Sequence, residues 1–204
     1  MNRKERGGRV NTVIFGRISQ AELVLSDTEL SARLMRTVKF SDDEIKSVSD
    51  EILEAANMRF AATKLKIFGI DGDVVRLEGF SVTSSALAAY LSGREEAYIF
   101  VATLGSEVDR LIMKKRVKSA ADAFIFDAVA SALTEALCDA AEKKIHPKEK
   151  TKPRFSPGYA DCPLSVQKDI LNLLSADKYT GVKLLDSLLM SPMKSVSAFV
   201  AILS

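Results

Sequence analysis

The stretch Tyr98-Ile-Phe-Val-Ala-Thr-Leu104 is a continuous apolar run of strand length, and Gly105 ends it. An apolar run of this length is typical of a strand that is buried on both faces of a sheet. Ser106 can cap a helix whose first turn contains two acidic residues, where the helix dipole favours negative charge. The stretch therefore predicts a central strand, a turn, and a helix that ends at about Lys118.

The residues before this strand predict a helix, a hairpin and a second, shorter helix. Ser41 and Glu44 have the spacing of a capping box, and apolar residues then recur at helical spacing, which predicts a helix from about Asp42 to Arg59. Asp71-Gly72 separates two β-type apolar runs and predicts a hairpin. The segment 84–92 reads as a short helix that Gly93 ends.

The residues after the strand begin with the longest helical pattern, 121–144, whose many alanines allow close approach and place it in the centre of the fold. A polar, lysine-rich connection at 146–153 is expected to be exposed. A helix at 164–174 and strands at 182–190 and 196–203 are predicted beyond it. Because helices and strands intermix without strict βαβ alternation, the fold class is predicted to be α+β.

Composition excludes several classes of protein. The 204 residues include 29 Lys and Arg and 27 Asp and Glu. The single His and the two Cys are too few ligands for the usual zinc or iron–sulfur sites. The low cysteine count suits a reducing, cytoplasmic setting, and the near-neutral charge argues against nucleic acid as a main partner. No apolar run approaches the roughly 20 residues of a membrane span. We expect one domain over 1–204, with 1–40 as a lead-in to which no element is assigned.

The segment Arg154-Phe-Ser-Pro-Gly-Tyr-Ala-Asp-Cys-Pro163 stays irregular for ten residues without resembling a flexible linker. Pro157-Gly158 predicts a turn, and Gly158 permits close backbone approach. The guanidinium of Arg154 can bind a carboxylate through two parallel hydrogen bonds, and Tyr159 offers a ring for stacking. These groups suit an amino-acid carboxylate attached to a planar group. A structured surface turn with a salt-bridged arginine is the alternative, and it is the commoner outcome.

The segment also resembles a known family. Arg154-x-x-x-Gly158-Tyr159, followed by Cys162-Pro163 and Lys168, is similar to the signature of the reactivation domain of cobalamin-dependent methionine synthase. Further stretches resemble other parts of that domain: Phe100–Gly105 with Glu107 and Asp109, Asp127–Leu133 with Glu135, and Gly181–Met190 with Pro192 and Ser195–Ser197. The matches follow one another in order from about 96 to 202, with a weaker helix–hairpin match from 41 to 80.

This resemblance implies a single C-shaped α+β domain with a central twisted, mainly antiparallel sheet flanked by helices. It implies that S-adenosylmethionine lies extended in a shallow groove, with Arg154 holding the methionyl carboxylate. The other residues that it implies near the ligand are Ser156, Pro157, Gly158, Tyr159 and, as a neighbour on the long helix, Glu135. The family also uses an aspartate near the N-terminus of the domain, for which the acidic candidates here are Glu5, Glu22 and Asp27.

The implied function is repair of cobalamin by reductive remethylation, as the reactivation component of the methyltransferase methionine synthase. An electron from a flavodoxin- or ferredoxin-like donor and a methyl group from S-adenosylmethionine restore methylcobalamin. Because the ligand and the cofactor contain the reactive groups, we expect no catalytic side chain and no metal ligand in this chain. The chain lacks cobalamin, homocysteine and folate modules, so we expect the cobalamin-binding methionine synthase modules to be on another chain.

Other readings stay open at this point. One is a non-catalytic docking module for a corrinoid protein, with a degenerate ligand site. Another is an ordinary S-adenosylmethionine-dependent methyltransferase, which the lack of a glycine-rich loop in a βαβ unit opposes. The lysines between 143 and 152 could bind an acidic electron-transfer partner, although a solvated face is the commoner role of such a run.

Overall fold

The computed structural model describes residues 12–26 and 41–203. Within these ranges the helices, besides a short 3-10 turn at Gln20–Glu22, are α1 (Asp42–Ala55), α2 (Ser85–Leu91), α3 (Ser106–Lys118), α4 (Ala120–Ile145), α5 (Val166–Leu174) and α6 (Ala176–Thr180). The strands are β1 (Ile14–Arg17), β2 (Arg59–Asp71), β3 (Val74–Leu77), β4 (Ser81–Thr83), β5 (Glu96–Thr103), β6 (Lys150–Thr151), β7 (Lys183–Leu184), β8 (Met190–Ser191) and β9 (Ser195–Leu203).

The main sheet is antiparallel throughout and has the order β4-β3-β2-β5-β9-β6, with β1 added beside β2. The long strand β2 has three partners: residues 59–66 pair with β5, residues 59–62 also pair with β1 on the other edge, and residues 67–71 pair with β3. Helices and antiparallel strands therefore mix in one unit, which confirms the α+β prediction.

The predicted central strand is β5, and its side chains enter two separate cores. Phe100 and its neighbours on one face pack with α1, α3 and α4, whereas Ile99 and Val101 on the other face pack with α2, α5 and α6. Across the β5–β9 pair, Phe100 faces Ala198 in one core and Ile99 faces Phe199 in the other. Burying a phenylalanine of this kind stabilises a fold by about 1.5–3 kcal/mol.

Helix α4 lies across the sheet and positions the site described below. Many of its buried positions are alanines, which allow the helix backbone to approach β5 and β9 closely. The helix also contains Glu135, Asp139 and Glu142, which are spaced by four and then three residues. This spacing places the three carboxylates on one face of the helix.

Several sequence predictions need correction. The first helix ends at Ala55 rather than Arg59, because β2 begins at Arg59 and pairs from its first residue with β5. The strand predicted at 182–190 is instead two short strands, β7 and β8, that pair with each other. Polar residues at the middle of that segment form the turn between them, and Leu188 there has a positive φ of 63°.

Three short strands, β1, β4 and β6, lie where no strand was predicted. β1 falls within the predicted lead-in 1–40 and pairs with residues 59–62 of β2. β6 falls within the connection 146–153 and pairs with the end of β9. Both β1 and β6 pair with a strand longer than themselves. The rest of the lead-in, 1–11 and 27–40, lies outside the described residues.

No helix in 12–26 or 41–203 is long and apolar enough to cross a membrane.

Candidate functional site

The Arg154 segment leaves β6 and continues along β9. The amide of Lys152 donates to the carbonyl of Ala201 at 2.9 Å, and Phe155 and Phe199 exchange two backbone hydrogen bonds of 2.9 and 2.8 Å. Successive side chains of such an extended segment point to opposite sides. Phe155 is therefore buried in the core of α2 and α5, while Arg154 points to α4.

The guanidinium of Arg154 contacts three carboxylates on α4. Its Nη1 donates to Asp139 Oδ1 at 2.7 Å and to Glu142 Oε1 at 2.5 Å, and its Nη2 donates to Glu135 Oε2 at 2.9 Å. Glu142 also lies near the only histidine of the chain, with 3.4 Å between Glu142 Oε2 and His146 Nε2. One fixed cation thus lies among three acidic side chains.

These contacts lower the pKa of Glu142 and raise that of Arg154, so that both shifts favour the charged form. Burial opposes the charged form of Glu142, yet the contact with His146 and the hydrogen bond from Arg154 outweigh it and lower the pKa of Glu142 below its usual value. Burial also opposes the charge of Arg154, but the neighbouring carboxylates of Asp139 and Glu142 raise its pKa. Both groups are therefore charged at neutral pH.

The turn after Arg154 depends on a glycine. The amide of Gly158 donates to the carbonyl of Cys162 at 2.9 Å, and the amide of Cys162 donates back to Tyr159 at 3.0 Å. Gly158 has a φ of +89°, and a Cβ at this position would lie 3.1 Å from the side chain of Leu164. Only glycine takes this conformation without strain, as the sequence predicted for a turn here.

Asp161 anchors the turn to the N-terminus of α2. Its carboxylate accepts hydrogen bonds from Ser84 Oγ, Ser85 Oγ and the amides of Ser85 and Ala86, at 2.6–3.1 Å. These hydrogen bonds lower the pKa of Asp161 well below its usual range. The turn is thereby held by a segment more than 70 residues earlier in the chain.

An aromatic cavity lies beside Arg154. It has a volume of about 450 Å³ and is lined by Tyr90, Lys152, Pro153, Arg154, Phe155, Ser156 and Tyr159. The Tyr90 hydroxyl donates to the carbonyl of Pro153 at 2.8 Å and accepts from the amide of Ala201 at 2.9 Å, which fixes its ring beside Phe155. Tyr159 packs edge-on against Phe155 and is 69% exposed.

A second, charged cavity adjoins the aromatic one. It has a volume of about 460 Å³ and is lined by Glu135, Asp139, Glu142, Pro153, Arg154, Ser156 and Val196. The two cavities share Pro153, Arg154 and Ser156. Together they form one groove, with carboxylates and a guanidinium at one end and tyrosine rings at the other. We call it the Arg154 groove.

A larger cavity of about 750 Å³ lies elsewhere, between α5, α6 and the β7–β8 hairpin. Its walls combine lysine, aspartate and leucine side chains, and it contains none of the residues predicted for the site. The Arg154 groove is therefore the better candidate, because it unites charge and aromatic surface.

The structure brings four of the six predicted residues to the groove: Arg154, Ser156, Tyr159 and Glu135. Pro157 and Gly158 line neither cavity and instead shape the turn. The salt-bridged arginine of the alternative reading is also present. Both readings therefore describe part of this site, and the ligand roles stay predictions.

Sequence reasoning missed Asp139, Glu142 and Asp161. The first two follow Glu135 by four and seven residues, so helical spacing alone places them on its face of α4. No local signal marks Asp161. Its one indirect sign is that the first turn of α2 has no acidic residue of its own.

Of the acidic candidates near the N-terminus, Glu22 does not line the groove. The carboxylate of Glu22 pairs with Lys144 at 2.7 Å and accepts from Ser19, and these contacts lower its pKa to about 2. Glu5 and Asp27 lie outside the described residues. Cys138 and Cys162 are buried and unpaired, and burial raises the pKa of both thiols. Across 12–26 and 41–203, no cluster of His, Cys, Asp and Glu could hold a metal ion.

Comparison with known proteins adds two findings. The family model described as "Vitamin B12 dependent methionine synthase, activation domain" matches residues 82–202, which is more than half of the chain and includes the Arg154 segment. A solved structure, "Crystal Structure of the MetH Reactivation Domain bound to AdoHcy", is similar in fold, with a TM-score of 0.68 and 16% identity. The alignment covers 94% of this chain and 78% of that one. No curated protein matches the sequence.

Proposed function

The chain belongs to the family of activation domains of vitamin B12 dependent methionine synthase, and from this premise we propose that it binds S-adenosylmethionine in the Arg154 groove. In this proposal, residues 1–204 form one such domain. It supports reductive remethylation of cobalamin that a separate methionine synthase chain binds. The electron comes from a flavodoxin- or ferredoxin-like protein. A reducing cytoplasm suits the two free cysteines.

The position of Arg154 is the observation that supports this proposal most. Its guanidinium lies at the junction of a charged cavity and an aromatic cavity. A ligand with an amino acid at one end and a planar base at the other matches that division. The similar solved domain is bound to AdoHcy, S-adenosylhomocysteine, which is what S-adenosylmethionine becomes when it loses its methyl group. The volume of the groove is within the usual range of small-molecule sites.

Each predicted residue has a specific role in this proposal. Arg154 binds the methionyl carboxylate through two parallel hydrogen bonds. Ser156 lines the groove and receives the ligand, Pro157 and Gly158 shape the turn that positions Ser156, and Tyr159 packs beside the ligand. Glu135 holds Nη2 of Arg154 in place and lies next to the amino-acid end.

The protein contributes alignment rather than acid–base chemistry. The sulfonium of S-adenosylmethionine is already an activated methyl donor, and reduced cobalamin on the partner chain is a strong nucleophile. Holding the two in line converts an encounter in solution into a reaction within one complex. The anchored, glycine-dependent turn suits this task, because it presents the ligand from a rigid surface.

A second candidate function is a docking module for a corrinoid protein that no longer binds the ligand. The ion pairs of Arg154 favour it, since three carboxylates already occupy the guanidinium. Glu22 also favours the docking module, because this N-terminal carboxylate pairs with Lys144 and does not line the groove.

Reductive methylation distinguishes the two functions. A cobalamin-binding methionine synthase fragment without its own activation domain is incubated with a chemical reductant and S-adenosylmethionine, and formation of methylcobalamin is followed by absorbance. We expect methylation to require this chain and to fall strongly with Arg154→Met, whereas the surface control Arg76→Met behaves as wild type. Binding of the fragment with no chain-dependent methylation would favour the docking module instead.

A further inference from the structure

The charges at the carboxylate end of the Arg154 groove are unbalanced. Glu135, Asp139 and Glu142 together place three negative charges around the single positive charge of Arg154. An amino acid brings a carboxylate and an ammonium group, one carbon apart. Its carboxylate can bind Arg154 and its ammonium group can bind one of the acidic side chains, so a zwitterion that takes over a hydrogen bond of Arg154 can offer the displaced carboxylate a new partner.

Exposure indicates which ion pair opens. The side chain of Asp139 is 62% exposed, against 31% for Glu135 and 16% for Glu142. A carboxylate that is mostly in water loses little when its ion pair separates, because water already solvates it. Glu142, in contrast, is mostly buried and also lies near His146, so it stays paired with Arg154.

Resting on the proposed function, we propose that Asp139 exchanges partners on binding and becomes the receptor of the ligand's ammonium group. The ligand carboxylate takes the place of Asp139 on Nη1 of Arg154. Asp139 stays close, because it is on a rigid helix with a short side chain. It then accepts a hydrogen bond from the ammonium group, and the number of opposite-charge pairs rises by one.

This role is distinct from competition. If Asp139 only occupied Arg154 in the free protein, its removal would free the guanidinium and strengthen binding. If Asp139 receives the ammonium group, its removal weakens binding, but only of ligands that have that group. The sign of the change and its dependence on the ligand therefore separate the two roles.

The test is calorimetric titration with S-adenosylhomocysteine and with its desamino analogue, which keeps the carboxylate and lacks the ammonium group. Asp139→Asn should weaken binding of S-adenosylhomocysteine by about tenfold, the usual effect of one charge-assisted hydrogen bond, and leave the affinity for the analogue unchanged. Asp122→Asn is the matched control, because Asp122 is exposed in the first turn of the same helix. It should change neither affinity.

Two negative results have different meanings. If the wild-type protein binds neither S-adenosylhomocysteine nor S-adenosylmethionine, the proposed function is wrong and the partner exchange with it. If the wild type binds and Asp139→Asn binds S-adenosylhomocysteine equally well or more tightly, the exchange alone is wrong. Loss of affinity for both probes would also contradict it, since the analogue has no ammonium group to lose.

Discussion

Replacing Arg154 with methionine should destabilise the protein even without ligand. The change removes the guanidinium that contacts Glu135, Asp139 and Glu142 and leaves three carboxylates facing one another. Opening a fully buried ion pair by removing one partner costs about 3–5 kcal/mol. Solvent screens Asp139 and partly screens Glu135, so the main cost comes from Glu142, which is largely buried. We therefore expect a loss of about 2–3 kcal/mol.

Urea unfolding followed by circular dichroism measures this loss. The double variant Glu142→Gln with Arg154→Met should be more stable than Arg154→Met alone, because it removes the carboxylate that the single change leaves buried without its partner. Arg76→Met is the matched control. Arg76 and its partner Asp71 are both more than half exposed, and its loss should stay within about 0.5 kcal/mol.

Two results would refute this reasoning. One is an Arg154→Met protein as stable as the Arg76→Met control. The other is a double variant no more stable than Arg154→Met, because that would show that the carboxylates are not what the guanidinium stabilises.

Two further predictions concern the turn and the acidic face of α4. Gly158→Ala should lower the free energy of unfolding by about 1–3 kcal/mol, because of the positive φ and the contact of the new Cβ with Leu164, and it should weaken ligand binding. Gly93→Ala is the control, since Gly93 also has a positive φ but no neighbour within 4 Å. This control should lose stability without losing affinity. Because the folded-state pKa of Glu142 lies below its usual 4.5, its stabilising effect is complete above that pH and declines as the pH falls. The stability gap between wild type and Glu142→Gln in urea should therefore be largest at pH 7 and close towards pH 3; a constant gap would contradict the cause given for the lowered pKa.

The long elements of the fold could be predicted from the sequence because each has a strong pattern of its own. The apolar run at 98–104 gave β5, and the alanine-rich helical pattern gave α4 within a residue of its ends. β1 and β6 could not be predicted in this way. Their pairing depends on the open edges of β2 and β9, and such edges are known only once the sheet is formed.

The candidate site divides in a similar way. Arg154, Gly158 and Tyr159 stand out in the sequence because they form one compact motif. Asp139 was not predicted but was predictable, since it shares a helical face with Glu135. Asp161 was not, because its partners Ser84, Ser85 and Ala86 are brought to it only by packing of α2 against the turn.

The most direct test of the central claim is calorimetric titration of the wild-type protein and Arg154→Met with S-adenosylmethionine, at a temperature where circular dichroism shows both to be folded. We predict one site per wild-type chain. Loss of the carboxylate-binding guanidinium should cost about 1.5–3 kcal/mol, which weakens binding roughly 10- to 150-fold. Absence of binding to the wild type, or equal affinity in the two proteins, would contradict the assignment of the Arg154 groove.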